Sequence, residues 1–469
     1  MDVSSKPERC SHLGSARVSR AVVAASATTP NHRHPPHRSV WKEWWHRHRR
    51  VRRDAEHCTS AACAPHFNCI IPVESERIFL GVLLLGSLAL RLCLFGFVSG
   101  DMRGDMLGWS EFIRAHGGLR AMRQDIGNYP PLYYYLLTLA SYLPLPRVYA
   151  IKAVYVVFDY VMAGYVWGMV RQRYPKRLTP FAAGLAALFL PTVVLNSSLW
   201  GQCDAMYTAG LVACVYYLLR RQHARALLGF GLAFALKPQA VFLAPLLLLV
   251  LTLQGRFSPL LLYLVPGVYL VAALPAWLLG RPLMDLLLLY AHQRILPFPS
   301  LTLGATNLYQ WLPDRYFKLL FPAGLALAAV AAMGFVWFVW RRQPAGLSDE
   351  ALLSAALVSL VLMPYVLPAM HERYFFPADV LGVAFAFWFP RHWPIALLIQ
   401  FASFFTYLPY LFNQEPVPRP FLALVMGVAL VLAIRHLGET IRHSVVQPIT
   451  NGAAAFGANG AAPETPGLR

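Results

Sequence analysis

Long apolar segments recur along the chain from residue 77 to residue 436, and short polar or basic connections separate them. Each is about 20 residues long, the length that an α-helix needs to cross a hydrocarbon core of roughly 30 Å. One such segment could anchor a soluble domain, but a repeated series indicates a helical bundle. We therefore predict an all-α polytopic membrane protein with about twelve transmembrane helices, the first over residues 77–98.

The composition agrees with this pattern. Hydrophobic residues make up 57% of the chain and charged residues 13%, whereas a soluble domain has about 25% charged residues. The net charge is +19, and much of the excess lies near the N-terminus and in short connections. That distribution is typical of charges that orient membrane helices, so we expect no nucleic-acid partner.

Three regions follow from the pattern. Residues 1–76 lack helical periodicity and predict a disordered basic cytoplasmic tail, in which the polybasic stretch 41–53 favours anionic lipid. Residues 77–446 form the transmembrane domain. Residues 447–469 are rich in Ala, Gly and Pro and predict a second disordered tail.

Lys and Arg concentrate in cytoplasmic loops, which assigns a side to each connection. The basic connections predicted to be cytoplasmic are 171–177, 220–225, 340–343, 390–392 and 435–443. Both termini are then cytoplasmic, and the long loops 99–147 and 280–317 face outward. Because binding and catalysis usually take place on such loops, we predict an extracytoplasmic active site, at the inner membrane in a bacterium.

The predicted number of transmembrane helices depends on residues 224–253, because Lys237-Pro238 interrupts their apolar pattern. Proline removes a helical hydrogen bond, and we predict a hairpin of two short helices. The alternative is one kinked helix, which would reverse the sides of all later connections.

The first outward loop contains two predicted short helices. An amphipathic helix over 105–116 should stop at Gly117-Gly118. A second helix over 132–143 should lie in the membrane interface, since it carries Tyr133, Tyr134 and Tyr135.

Asp101 and Asp105 follow the first apolar segment and are the candidate catalytic residues. Sugar transfer passes through an oxocarbenium-like state, and a carboxylate can take the proton of the acceptor hydroxyl or stabilise the developing positive charge. The alternative is that an Asp after Gly caps a helix.

A second polar cluster, in 196–208, offers an aromatic ring for sugar stacking and several polar groups. Its candidate pocket residues are Trp200, Gln202, Asp204 and Tyr207. In the alternative interpretation, Asp204 caps the next helix and Trp200 anchors that helix at the interface.

A third cluster, in 368–380, contains His371, Glu372 and Arg373. Charged residues beside a membrane are costly unless they are paired or functional, and the Arg fork suits a phosphate because it contacts two oxygens. Pairing of Arg373 with Asp379 is the alternative.

Lys237 is a further candidate for phosphate contact, with snorkelling to the interface as its alternative. Under the charge-based topology all these clusters reach one face. We predict an outward cavity with carboxylates, rings and a phosphate-binding base, open to lipid where a polyprenyl carrier could enter sideways.

Four segments together resemble the bacterial membrane proteins related to the GPI-anchor mannosyltransferase II family, within the GT-C class: GDMRGDMLGWSEFIRAHGG, NYPPLYYYLL, NSSLWGQCDAMYT and MHERYFFPADV. The resemblance covers residues 77–436. It implies a multi-pass fold, a catalytic Asp in the first extracytoplasmic loop, and a dolichyl- or undecaprenyl-phosphate donor carrying mannose or another hexose. Asp101 matches best, from its distance to Gly117-Gly118, and Asp105 is second.

The Met-Arg-Gly between these two acids departs from the paired acidic motif of many relatives, so a divalent metal is the one cofactor left open. The resemblance places the donor phosphate at His371 and Arg373, and Lys237 is added as the further candidate for phosphate contact. The predicted sugar or acceptor pocket comprises Trp200, Gln202, Asp204, Tyr129, Tyr207 and Glu372.

The predicted function is inverting transfer of a hexose from a polyprenyl phosphate to an extracytoplasmic glycolipid, glycan or protein. The rival is a lipid-linked glycan flippase or secondary transporter, which would also contain broken helices and intramembrane charge. Against it, the two halves show no internal repeat and the polar clusters gather at one face.

Overall fold

The computed structural model describes residues 73–456, except 176–177, 254–256, 293–298 and 343–345. The α-helices are α1 (Val73–Leu94), α2 (Leu107–Ala115), α3 (Pro131–Ser141), α4 (Arg147–Arg173), α5 (Thr179–Phe189), α6 (Pro191–Val194), α7 (Asp204–Leu219), α8 (His223–Leu236), α9 (Ala244–Leu253), α10 (Leu264–Leu278), α11 (Leu283–Leu287), α12 (Leu289–His292), α13 (Phe317–Trp340), α14 (Asp349–Val366), α15 (Phe376–Trp388), α16 (Trp393–Phe412) and α17 (Arg419–Phe456).

Shorter turns connect them. The π-helical turns are Met102–Met106 and Leu195–Trp200, and the 3₁₀ turns are Gly118–Arg123, Pro238–Leu243, Pro259–Tyr263, Leu308–Trp311, Asp314–Tyr316 and Pro390–His392. The strands β1 (Thr302–Leu303) and β2 (Met370–His371) form one short parallel pair.

Six helices of the described residues are long and apolar enough to cross a membrane: Arg147–Arg173, Pro259–Leu278, Asp314–Trp340, Asp349–Val366, Pro390–Phe412 and Arg419–Arg442. A pair bent by 50°, Thr179–Phe189 with Pro191–Trp200, makes a seventh if it is one span. Shorter apolar helices pack among them. The chain is thus an all-α polytopic membrane protein, and the number of about twelve spans stays a prediction.

The chain reverses direction at Lys237, as predicted. A straight helix from 223 to 253 would be about 45 Å long, yet the rings of His223 and Phe257 lie 5.2 Å apart. Lys237 itself has extended backbone between α8 and the 3₁₀ turn that precedes α9. Proline at the next position accounts for the break, since it disfavours helical backbone at the residue before it.

Basic connections gather at one end of the bundle, here called the basic end. Arg173 pairs with Glu350 at 2.9 Å, and Arg221 pairs with the neighbouring Asp349 at 2.8 Å. The Arg173 guanidinium also lies 5.5 Å from the ring centroid of Trp388, just before the 390–392 connection. The rings of His392 and His436 are 4.1 Å apart, which brings the 435–443 connection to the same end.

Both predicted helices of the first outward loop are present. The helix α2 follows the first π turn, and Gly117 has a φ of 78°, left-handed backbone that stops the helix. The helix α3, however, is not anchored at the interface by Tyr133 and Tyr134. Both are buried and pack edge-on against Trp109, because this aromatic cluster provides an apolar interior for them.

The second loop predicted to face outward, residues 280–317, is fixed against the segment that carries the third polar cluster. Strand β1 pairs with β2, and the backbone N–H of Ala369 donates to the Leu301 carbonyl at 2.7 Å. The Tyr309 hydroxyl donates to the Val366 carbonyl at 2.8 Å. These contacts set the position of His371 and the two residues after it.

The last helix continues to Phe456, past the predicted boundary at 446, and the first helix begins at Val73. The predicted polybasic stretch 41–53 and most of the predicted N-terminal tail lie outside the described residues.

Candidate functional site

The site is organised by the π-helical turn Leu195–Trp200. Proline at 191 breaks the preceding helix, and the wide turn that follows is of a kind often found at functional sites. Side chains of this turn donate hydrogen bonds to three different carboxylates: Asn196 to Asp204 (2.8 Å), Ser197 to Asp159 (2.6 Å) and Trp200 to Asp101 (3.1 Å).

Asp101 faces the site and is one-fifth exposed. Its Oδ2 accepts hydrogen bonds from Trp200 Nε1 and Gln202 Nε2, and its Oδ1 accepts one from the Tyr410 hydroxyl. Its side chain caps no helix, although it precedes the first π turn. The capping interpretation of Asp101 is therefore wrong, because other side chains engage both carboxylate oxygens.

Asp204 and Lys237 form a buried ion pair of 2.6 Å. Asp204 begins α7 without capping it, and Lys237 marks the hairpin reversal, so the pair ties the hairpin to the π-helical turn. The Lys237 ammonium also lies 5.3 Å from the Tyr129 ring centroid and 5.7 Å from that of Tyr207. Snorkelling of Lys237 and helix capping by Asp204 are both wrong, since each side chain is buried against the other.

Arg373 joins the carboxylates. It donates to Glu372 Oε1 at 2.7 Å, and its other nitrogens lie 3.6 Å from Asp204 Oδ2 and 3.9 Å from Asp101 Oδ2. Its Nε has no hydrogen-bond partner in the part of the chain that the structure describes. This unpaired Nε is the nitrogen nearest Asp204, whereas Nη2 is the nitrogen that lies beside the partly exposed Asp101, beyond hydrogen-bond distance.

Asp379 does not take part in this cluster. Its Oδ2 accepts a hydrogen bond from Ser403 at 2.7 Å, and it lies inside α15. The predicted alternative, a pair between Arg373 and Asp379, is wrong because α15 carries Asp379 towards α16 instead.

His371 and Glu372 lie at the edge of the site. His371 Nδ1 is 3.7 Å from Glu372 Oε2, and the imidazole is about one-third exposed. Burial raises the pKa of Glu372, but the neighbouring His371 imidazole and the charge of Arg373 outweigh it, so the pKa lies below its usual value. Glu372 is thus a carboxylate at neutral pH and holds Arg373 in place.

Asp105 differs from Asp101 in having no hydrogen-bond donor among the described residues, and it is exposed. Partial burial and the negative charge of Asp101 raise the pKa of Asp105, while Arg373 lowers it. The two predicted catalytic carboxylates are thus close enough to interact, but only Asp101 is held in a fixed orientation.

The structure brings Asp101, Asp204 and Arg373 together, with Gln202 on Asp101 and with Tyr129 and Tyr207 around Lys237. Trp200 and Tyr207 are fully buried, so neither has an open ring face for a sugar. Interfacial anchoring by Trp200 is wrong for the same reason.

Several buried polar atoms around this cluster lack partners in the described part of the chain: Asn196 Oδ1, Gln202 Oε1, Tyr207 Oη and Tyr407 Oη. Native proteins rarely leave buried polar groups unpaired without water or ligand. The cluster is therefore suited to hold hydroxyl groups or water.

Two residues that contact this cluster were not predicted. Tyr410 binds Asp101, although Tyr407 and Tyr410 at the end of a long apolar segment were a visible signal. Lys152 lies in the apolar start of α4 and donates to the carbonyls of Phe95, Phe97 and Leu199 at 3.1, 2.6 and 2.9 Å. It ties the end of the first span to the π-helical turn.

Charged residues also lie deep in the bundle. Arg91 Nε is 2.9 Å from Asp159 Oδ2, and both side chains are fully buried, with Asp159 near the middle of α4. The prediction that polar residues gather only at one face is therefore wrong for this pair.

One group of three side chains within the described ranges could hold a metal ion, namely His392, His436 and Glu439, whose ligand atoms lie within 4.8 Å of one another. It lies at the basic end, whereas Asp101 and Arg373 lie beyond the opposite ends of the helices. The described residues around Asp101 thus form no metal site of three such ligands.

The sequence model of glycosyltransferase family 87 matches residues 128–364, just over half of the chain. The match includes Trp200, Gln202, Asp204 and Lys237, and the geometry above adds Asp101 and Arg373 from outside it. No curated protein matches the chain in sequence.

Proposed function

The chain belongs to glycosyltransferase family 87, and we propose that it transfers a hexose, such as mannose, from a polyprenyl-phosphate donor to an acceptor hydroxyl outside the cytoplasm. The observation that carries this proposal is the position of Arg373, whose nearest nitrogen is 3.9 Å from Asp101 Oδ2. A group that can bind a phosphate therefore lies beside a group that can accept a proton.

The reaction is a single displacement. The acceptor oxygen attacks C1 of the sugar while the bond from C1 to the phosphate oxygen breaks, and the electron pair of that bond leaves with the polyprenyl phosphate. Asp101 takes the acceptor proton. Because the acceptor attacks C1 on the side opposite the leaving phosphate, the configuration at C1 is inverted. Arg373 donates to the phosphate oxygens as their charge develops, and His371 supplies a second donor at the edge.

Lys237 has a supporting role in this mechanism. Its ammonium is engaged by Asp204 at 2.6 Å and is almost fully buried, so contact with a phosphate would require this pair to separate. Lys237 instead neutralises Asp204, which lies within 3.6 Å of Arg373. We therefore assign phosphate contact to Arg373 and His371, and orientation of Asp101 to Gln202.

The side of the membrane follows from charge. Basic connections favour the cytoplasm, and the five predicted basic connections include those that gather at the basic end. Asp101 and Arg373 then face outward, where the acceptor is a glycolipid, a glycan or a protein. The polyprenyl chain stays in lipid and delivers its phosphate at the membrane surface.

The deep pair Arg91–Asp159 and the 50° break are features that transporters also have. Arg91 and Asp159 are fully buried, and Arg91 has further acceptors in Ser87 and Leu188. All three nitrogens of Arg91 have acceptors, which suits this residue to structural support, and membership of the family favours the enzyme.

The test is sugar transfer in proteoliposomes with radiolabelled polyprenyl-phosphate hexoses as donors and native membrane lipid as acceptor. We expect label to move into a new product with the wild-type protein, and Asp101→Asn to lower the rate by about 10²- to 10⁴-fold. Glu111→Gln is the control, since Glu111 is an exposed carboxylate of the same loop. Wild-type rates in Asp101→Asn would refute the assignment of the base, and carrier that crosses the bilayer unmodified in both proteins would indicate a flippase.

A further inference from the structure

Tyr410 is the aromatic side chain of this cluster that keeps an open surface. It lies in the last turn of α16 and is 41% exposed. Its ring stacks on Trp200, with centroids 4.6 Å apart and planes inclined by 21°. Trp200 is its one ring partner among the described residues, so we infer that the exposed part of the Tyr410 ring is the face turned away from Trp200.

Trp200, in contrast, has no exposed ring surface that a ligand could contact. Its ring is fully buried, with Tyr410 stacked on it, Tyr407 edge-on at 5.2 Å and the Arg373 guanidinium at 5.2 Å. Trp200 thus covers one face of the Tyr410 ring and fixes the plane of that ring.

The hydroxyl of Tyr410 is engaged by Asp101 in two ways. It accepts a hydrogen bond from the Asp101 backbone N–H at 3.0 Å and donates one to Asp101 Oδ1. Gly100 permits this approach, because a Cβ at that position would lie 3.1 Å from the Tyr410 oxygen. Tyr410 therefore fixes both the backbone and the carboxylate of residue 101.

Arg373 and Tyr410 lie on different sides of the Asp101 carboxylate. Arg373 approaches Oδ2, and Tyr410 binds Oδ1. A base must come within hydrogen-bond reach of the hydroxyl that it deprotonates, so an acceptor that uses Asp101 lies next to the Tyr410 ring. The donor phosphate lies towards Arg373.

We propose that Tyr410 forms the acceptor subsite, where its open ring face packs against the acceptor sugar and its hydroxyl positions Asp101. This inference rests on the proposed function. The ligand class is a glycan or glycolipid whose sugar presents an apolar C–H face to the ring, as amphipathic aromatic side chains accommodate.

The experiment compares Tyr410→Phe and Tyr410→Leu in the proteoliposome assay, with native membrane lipid extract titrated as acceptor at saturating donor. Phe keeps the ring and removes the hydroxyl, whereas Leu removes both. Tyr316→Phe and Tyr316→Leu are matched controls, since Tyr316 is 47% exposed and precedes α13 in the second outward loop. The monomer peak and melting temperature in detergent identify variants that fail to fold.

Tyr410→Phe should lower kcat by about 10- to 100-fold, the effect of losing a hydrogen bond to a charged group, with the acceptor KM within about twofold. Tyr410→Leu should lower kcat similarly and raise the acceptor KM by about two- to tenfold, with the donor KM unchanged. The Tyr316 variants should match the wild type.

Three results would overturn the inference while leaving the proposed function standing: kinetics of both Tyr410 variants equal to the wild type, an unchanged acceptor KM in Tyr410→Leu, or a rise in the donor KM instead. If the folded wild-type protein transfers no label from any donor, the proposed function fails, and the acceptor subsite fails with it.

Discussion

Two groups of charged residues accept hydrogen bonds from the same π-helical turn, and they differ in how many hydrogen-bond acceptors their arginine has. In the deep group, Arg91 and Asp159 are fully buried at 2.9 Å, and Arg91 also donates to Ser87 Oγ and the Leu188 carbonyl, each at 2.7 Å. In the outer group, Arg373 donates one hydrogen bond to Glu372 and stands 3.6 and 3.9 Å from Asp204 and Asp101.

The comparison teaches that the same residue types serve two purposes. In the deep group the arginine has a protein acceptor for each nitrogen and both charges are buried, so the two residues stabilise the fold only as a pair. An open group keeps donor capacity and partial exposure, which a ligand can use. The difference between the groups should therefore appear as stability in one and as activity in the other.

The largest expected effect is on stability. Arg91→Met should lower the free energy of unfolding by about 3–5 kcal/mol, because Asp159 is left buried without a counter-ion. The control is Arg173→Met, whose pair with Glu350 has the same 2.9 Å distance but is exposed, and about 0–1 kcal/mol is expected there. The measurement is equilibrium unfolding in mixed detergent micelles.

A double variant sharpens this result. Arg91→Met with Asp159→Leu removes both charges and should recover most of the stability, because an apolar pair replaces a buried ion pair at little cost. Equal losses in Arg91→Met and Arg173→Met would show that burial does not distinguish the two pairs.

The next effect is on activity in the outer group. Arg373→Gln should lower kcat by about 10²- to 10³-fold, as removal of one donor to a developing negative charge does. Arg373→Lys should retain part of the rate, since Lys keeps the charge but loses the fork that contacts two phosphate oxygens. Initial rates of label transfer measure both. A full rate in Arg373→Gln would exclude Arg373 from phosphate binding.

A smaller effect tests the turn that links the two groups. Ser197→Ala removes the 2.6 Å hydrogen bond to Asp159 and should cost about 1.5–3 kcal/mol of unfolding free energy. Ser198→Ala is the neighbouring control, since the one side-chain hydrogen bond of Ser198 Oγ among the described residues is to Ser197 Oγ, at 3.2 Å, and it reaches no carboxylate. The same unfolding assay compares them, and a larger loss in Ser198→Ala would contradict the assignment.

The smallest effect concerns Asp105, whose pKa is raised above its ordinary value of 3.8 by burial and by Asp101. The folded state disfavours the charged form, so stability falls as the pH rises from 3.8 through the raised value and stays lower above it. Asp105→Asn should therefore be more stable than wild type at pH 7, within about 0.5 kcal/mol. The melting temperatures of the wild type and Asp105→Asn should differ at pH 7 and coincide below pH 3.8. A variant less stable than the wild type at pH 7 would contradict the prediction.

The membrane class, the hairpin and the short loop helices could be predicted from the sequence because each has a local signal. Apolar length gives the spans, Lys237-Pro238 gives the reversal, and Gly117 gives the stop of α2. Charge alone also predicted a common end for the basic connections, since Lys and Arg near the helix ends mark a side without any knowledge of packing.

The partners of the charged residues could not be predicted in the same way. Tyr410 and Asp101 are 309 positions apart, and their contact depends on the rotation of α16 against the first loop. Arg373 contacts Glu372 and Asp204 instead of Asp379, because Asp379 lies inside α15 and accepts a hydrogen bond from Ser403 of α16. Trp200 fits the composition of a sugar platform, but the packing of Tyr407, Tyr410 and Arg373 encloses it.

The π-helical turn also limits how the chain length can vary. A π turn holds more residues than an α turn, and each residue of a helix adds about 100° of rotation. Deleting one residue between Pro191 and Trp200 would therefore rotate Trp200 and Gln202 away from Asp101 while leaving both of these side chains chemically unchanged. Insertions and deletions in this segment should be far less tolerated than substitutions. A mutational scan that includes single-residue deletions would therefore identify the segment as one whose length cannot change without loss of activity.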